Sequence, residues 1–245
     1  DLVRSRGLGD VYKRQIQEGN GIPADGDLWV SYSVNKEDMW ISRIPVPVEI
    51  NASAHADDDF SNNKSIAELT DWNIYSPVWA PVSLEGQWLK LQDKDPFDYA
   101  KVERKIPASK ELKVSFDLKA GQNDKGTLQI EFLDENGIAC SRMELTDDGI
   151  FRMKGGSRFA NMMKYEAGKV YHVEAVLSTA DRNIQVYVDG KRVGLRMFYA
   201  PVAAVERIVF RTGVPRTFPT VDTPADQTYD LPNAGAQDPL AEYGI

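Results

Sequence analysis

The sequence has one cysteine and two histidines, and it has no apolar run of the roughly 18 residues that a membrane helix needs. Positive charge is also scarce: 29 Lys and Arg stand against 37 Asp and Glu, for a formal net charge of -8. Each shortage excludes something. A lone cysteine, Cys140, cannot form an intramolecular disulfide. The two histidines, His55 and His172, are far apart and have no cysteine or carboxylate at ligand spacing, which argues against a zinc site. An acidic chain lacks the basic footprint of a nucleic-acid binder, so no nucleic-acid partner is expected. Gly155-Gly156 is not followed by Lys-Ser or Lys-Thr, so there is no phosphate loop, and no nucleophile elbow marks a serine to partner His172. Cys140 lies in a strand-like run, Ile138 to Met143, with nothing cationic placed to activate it, and reads as a small core residue.

What is present is ordinary for a soluble globular protein: 245 residues, 42% hydrophobic and 27% charged. That length holds one large β domain, or a medium domain plus a fragment. Asp1 to Gln15 shows no apolar periodicity and resembles the translated sequencing-adapter read-through that contaminates assembled environmental genes, so it is set aside from fold reasoning. Ala241 to Ile245 reads as the start of a strand. The chain is therefore read as truncated at both ends.

Residues 16–48 read as two terminal strands. Leu28, Val30 and Tyr32 alternate with Trp29, Ser31 and Ser33, Asn35 to Asp38 forms a turn, and Met39 to Ile44 returns. Two strands cannot bury a face alone. Residues 49–63 read as a linker of small and polar residues. Within it Asp57 to Asp59 lacks the alternating spacing and glycine of a calcium loop, so a solvated charge run is the simpler reading and no cofactor is expected. Residues 64–213 carry the main pattern. Leu112, Val114, Phe116 and Leu118 alternate with polar residues, as do Leu128, Ile130 and Phe132, then Tyr171 to Leu177, then Ile184, Val186 and Val188. Turn signals such as Asp134-Glu135-Asn136-Gly137 and Asp189-Gly190 separate them. Short strands with a turn every ten residues or so predict an all-β antiparallel sandwich. Five prolines from Pro215 to Pro239 predict that residues 214–245 are a largely irregular tail, with Phe218, Tyr229 and Leu231 as candidate anchors.

Ile184-Gln185-Val186-Tyr187-Val188-Asp189-Gly190-Lys191-Arg192-Val193, together with the preceding Gly168 to Val176, resembles the hairpin of concanavalin A-like and laminin G-like domains. The resemblance implies a jelly-roll β-sandwich and a lectin-like role. Leu28 to Val48 resembles the end of a sialidase-like β-propeller with BNR-type repeats, which implies a secreted or periplasmic glycoside hydrolase as the parent protein and an upstream propeller in the same chain. No Asp-box is intact, and Thr146-Asp147-Asp148-Gly149 only echoes one, so no catalytic residue is carried over. The expected function is a C-terminal accessory module that binds a polysaccharide or oligosaccharide or braces the propeller. The alternatives are part of the glycan-cleaving enzyme itself, or a purely structural sandwich.

Two residue groups are candidate carbohydrate-binding sites. In the first, Asn35, Lys36, Glu37 and Asp38 offer hydrogen bonds to hydroxyls beside the ring faces of Trp29 and Tyr32, the other reading being a charged turn beside core aromatics. Glu37 and Asp38 are adjacent and point to opposite faces if extended, so they do not form an acid–base pair across one glycosidic bond. In the second, Arg152 and Arg158, with Lys154, Lys164 and Asn161, suit uronates or sulfated sugars, since guanidinium groups grip anionic oxygens in bidentate fashion. The other reading is a charged, protected hairpin edge. Trp72, Trp79, Trp88 and Tyr99 are expected mostly in the core, the other reading being a platform for sugar rings.

Overall fold

The computed structural model describes residues 14–16, 27–34, 38–45, 56–94, 99–156, 158–213 and 241–245. The chain divides into two compact units, residues 1–51 and 52–245. In the first unit, β1 (Arg14–Ile16), β2 (Asp27–Val34) and β3 (Asp38–Pro45) form an antiparallel sheet in that order. The hairpin read from the sequence is present, with Val34 opposite Asp38 at its closing pair. The partner strand was not foreseen: Arg14 and Gln15 pair with Ser31 and Val30. Three residues are too few to display a period of two, so no pattern pointed to them.

The second unit contains two seven-stranded antiparallel sheets. Sheet I comprises β4 (Trp72–Tyr75), β7 (Lys101–Ser109), β9 (Leu128–Leu133), β10 (Ala139–Leu145), β11 (Ile150–Gly155), β12 (Arg158–Lys164) and β16 (Val205–Thr212). Its spatial order is β12-β11-β10-β9-β16-β7-β4. Sheet II comprises β5 (Val82–Glu85), β6 (Trp88–Asp93), β8 (Glu111–Ala120), β13 (Val170–Ser178), β14 (Asn183–Val188), β15 (Lys191–Met197) and β17 (Ala241–Gly244). Its order is β15-β14-β13-β8-β17-β6-β5. Among the described residues the only helical element is a 3₁₀ turn at Ile66–Glu68.

The alternating segments fold as their periodicity requires. Leu128, Ile130 and Phe132 of sheet I and Val173, Ala175, Ile184 and Val186 of sheet II have no exposed surface. Phe116 of β8 meets Phe210 of β16 edge-on, ring centroids 5.0 Å apart, which joins the two sheets through one interior. Each fully buried aliphatic or aromatic side chain contributes about 1.5–3 kcal/mol to that interior. The β14–β15 hairpin closes on Asp189 and Gly190, both at positive φ (50° and 76°), the backbone that a two-residue turn of this hand requires and that Asp-Gly supplies.

Residues on either side of 64–213 also contribute to the unit. Phe60, inside the stretch read as a linker, is 6% exposed and packs against Trp72 with ring centroids 5.8 Å apart. Asp58 is not simply solvated: its carboxylate takes the Nε of buried Arg104 at 2.8 Å, and Asp71 adds a second contact at 3.3 Å. A buried guanidinium needs carboxylates, and this recruits the chain before β4. At the other end, Ala241–Gly244 is a strand lying between β8 and β6. Residues 214–240, with Phe218, Tyr229 and Leu231, lie outside the described residues.

Candidate functional site

The outward face of sheet I follows directly from the strand period. With Ile130 and Phe132 turned inward, Gln129 and Glu131 turn outward. Register then sets Glu131 opposite Arg142, Gln129 opposite Glu144, and Glu144 opposite Arg152. On the far side of β9, Gln129 is opposite Arg211. Beyond β16, Lys101, Glu103 and Lys105 lie on the same face through their pairing with Arg211, Val209 and Arg207. The centre of this face is charged yet buried. Nε and Nη2 of Arg142 both lie 2.6 Å from Oε1 of Glu131, and the two side chains are 4% and 2% exposed. Burial alone would weaken the Arg142 cation. Together, the charge and hydrogen bond of Glu131 and the nearby Tyr199 and Glu144 outweigh this and hold its pKa above the ordinary arginine value.

Tyr199 lies over the end of this face, packed on Leu133, Ala139 and Val209, with its backbone N–H donating to the Cys140 carbonyl at 3.0 Å. Its hydroxyl is buried without a hydrogen-bond partner, and burial pushes its pKa up. Arg211 sits against the ring of Tyr99 at 4.2 Å. Its Nε and Nη1 have no hydrogen-bond partner, and burial lowers its pKa to about 10.

The accessible part of the face is the β11–β12 hairpin. Arg152 donates from Nε to Oε2 of Glu144 at 2.7 Å, and its guanidinium lies 4.4 Å from the Phe159 ring centroid. The Glu144 side chain is 6% exposed and that of Arg152 is 35% exposed, so a buried carboxylate anchors a guanidinium at the surface. Two residues on, the Lys154 ammonium lies 5.4 Å from the Phe159 ring and 5.3 Å from the Tyr199 ring. Burial first, then the neighbouring Arg142 charge, lowers the Lys154 pKa. Asn161, opposite Arg152, supplies an exposed amide.

The residues expected from sequence are thus only partly brought together. Arg152 is on the outward face. Arg158 is exposed but pairs with Gly155, one position out of phase with the Lys154–Phe159 pair, and so belongs to the opposite face of the strand. Trp29 and Tyr32 lie on β2 opposite Arg43 and Trp40, and Asp38 begins β3, whereas Asn35, Lys36 and Glu37 lie outside the described residues. The expectation that the aromatics are core holds unevenly: Trp72 packs against the core, while Trp79 is 62% exposed on the loop between Pro77 and Pro81. Cys140 is fully buried, and burial pushes its thiol pKa up to about 12. His172 and Asp117 form a 2.8 Å pair on the outward face of sheet II, with both side chains more than half exposed, and among the described residues no hydroxyl bonds to this histidine. Among the described residues there is also no cluster of His, Cys, Asp and Glu arranged to hold a metal, and no helix long and apolar enough to cross a membrane.

The same architecture occurs in proteins of known structure and sequence. The family model described as "Sialidase-like, CBM domain" matches residues 72–227. A sialidase chain of known structure is 89% identical, with a TM-score of 0.79 over 96% of this chain. This chain spans only 22% of the length of that sialidase. A structure reported with endo-acting O-glycanases of the human gut microbiota that initiate mucin breakdown is 14% identical, with a TM-score of 0.53 over 76% of this chain and 93% of that one. The apo form of the transglycosylase Crh5 is 12% identical, with the same TM-score over 76% and 79% of the two chains. These last two likenesses concern the fold. A comparison with curated proteins gives no match.

Proposed function

The chain belongs to the sialidase-like carbohydrate-binding-module (CBM) family, and from this we propose that its sandwich binds glycan through the outward face of the β11–β12 hairpin. The observation that carries the reading is Arg152: a surface guanidinium fixed by a buried carboxylate, beside Lys154, Phe159 and Asn161. Sugars present hydroxyls and carboxylates, and a planar guanidinium held in one orientation gives up little conformational freedom on binding them. The buried Glu131–Arg142 pair lies beside it on the same sheet face. The N-terminal hairpin with Trp29, Tyr32 and Asp38 is not needed for this reading.

Because a sialidase shares the sequence over most of this chain, we further propose an accessory role beside a catalytic region of a secreted parent protein. A glycan array of neutral and acidic oligosaccharides, followed by calorimetry on the best ligand, tests the binding reading. Arg152→Ala is expected to weaken the best ligand by about tenfold, equivalent to ~1.4 kcal/mol, and to lower the melting temperature because the buried Glu144 carboxylate loses its partner, with binding measured well below that melting point. Binding that is indifferent to Arg152, or absent from every glycan, would overturn it.

A further inference from the structure

Charge is segregated in this molecule. The outward face of sheet I carries the arginines Arg142, Arg152, Arg207 and Arg211 and the lysines Lys101, Lys105, Lys154 and Lys164. Its carboxylates are Glu103, Glu131 and Glu144. That is a formal excess of five positive charges on one sheet face of a chain whose net charge is -8. Every one of the three carboxylates is engaged. Glu131 pairs with Arg142 and Glu144 with Arg152. Glu103 lies 3.2 Å from Lys101 and 3.6 Å from Arg207.

Lys154 is left over at the accessible end. Its ammonium sits between two aromatic rings and has no carboxylate partner among the described residues, while Arg142 nearby is a like charge that disfavours it. Ring faces attract a cation without neutralising it. Deeper in the same face, the buried Arg211 has two N–H nitrogens without hydrogen-bond partners, a second cation with unfilled demand. Solubility does not account for this arrangement, because surface lysines placed for solubility point into water rather than into a ring clamp beside another cation.

We propose that Lys154 is the specificity-determining residue of the glycan face and that the ligand is an acidic sugar, whose carboxylate or sulfate group the Lys154 ammonium engages. The inference rests on the reading of the β11–β12 face as the glycan-binding surface. Arg152 is already committed to Glu144 and presents its remaining N–H groups to hydroxyls or to a second anionic oxygen. Of the cations beside Phe159, Arg152 is paired with Glu144 and Lys154 is not paired with any carboxylate among the described residues, so removing Lys154 is expected to cut most of the discrimination between acidic and neutral ligands.

The test is calorimetric titration of the full chain with sialyllactose, a galacturonate oligosaccharide, a sulfated oligosaccharide and lactose, for the native protein and for Lys154→Gln. The expected result is that at least one acidic probe binds at least tenfold tighter than lactose, and that raising salt from 0.05 to about 0.5 M erodes this preference by screening. In Lys154→Gln the acidic ligand is expected to weaken at least fivefold, lactose to bind as before, and the melting temperature to hold. Preference for a carboxylated over a sulfated probe, or the reverse, identifies the anionic group. Equal affinity for acidic and neutral probes, or an acidic preference untouched in Lys154→Gln, would overturn the inference while leaving glycan binding standing. Failure of every probe to bind would overturn both.

Discussion

Glu131→Ala is expected to destabilise the sandwich by about 3–5 kcal/mol, a large part of the total stability of a domain this size. The substitution removes few apolar contacts. Its cost comes from what remains: the Arg142 guanidinium, 4% exposed, would lose the carboxylate oxygen that both its Nε and Nη2 engage at 2.6 Å. Glu144 is close enough to favour the Arg142 charge, but it is held by Arg152, so it cannot take over without releasing the surface site. The double variant Glu131→Leu with Arg142→Met removes both charges and keeps the volume, and is expected to recover most of the loss. Urea unfolding of Glu131→Leu, Arg142→Met and the double variant gives the coupling between the residues directly. A loss below about 1 kcal/mol for Glu131→Ala would mean that the pair is not isolated from water as described.

Deleting residues 241–245 is expected to have the larger effect, the loss of cooperative unfolding at room temperature. These residues do not fray from the edge of sheet II. They form β17 in its interior, with Tyr243 opposite Leu91 on one side and Ala120 on the other. Tyr243 is 1% exposed, and Ala241 and Ile245 are also buried. Truncating one large buried side chain costs about 3–5 kcal/mol, and here a strand and its ladder hydrogen bonds are lost as well. Gly126 shows how tightly the strand is seated: a Cβ there would lie 2.3 Å from the Cβ of Ala241, and its φ is 68°. Thermal melting followed by circular dichroism measures the effect. A truncated chain that melts within a few degrees of the full one would show that sheet II tolerates a gap between β8 and β6.

These two results probe features that differ in how visible they are in the sequence. The central strands are legible because period-two alternation and turn residues agree over 110–190, and burial of Phe132, Val173 and Val186 follows from that alternation. The charged face is half legible. Outward positions such as Glu131, Arg142, Glu144 and Arg152 are identifiable as outward, but their pairing needs strand register. That is why Arg152 and Arg158 read as neighbours in sequence while the register puts them on opposite faces. Tyr199, which closes one side of the site, comes from a loop after β15 and carries no periodic signal. β17 is half legible for another reason. Ala241 to Ile245 reads as the start of a strand, but its place between β8 and β6 depends entirely on long-range pairing. Trp79 went the other way, since exposure of a tryptophan on a proline-flanked loop is set by backbone hydrogen bonds such as Lys94 N–H to the Trp79 carbonyl, 2.9 Å, and not by its hydropathy.

Backbone amide mapping by NMR during titration with the best-binding oligosaccharide tests the central claim most directly. The account predicts that the largest ligand-induced shifts cluster on β10 to β12, at Glu144, Arg152, Lys154, Phe159 and Asn161, and that in Lys154→Gln an acidic ligand must be raised at least fivefold in concentration to produce them. Shifts confined to the outward face of sheet II, around His172, Glu174 and Tyr187, would contradict it.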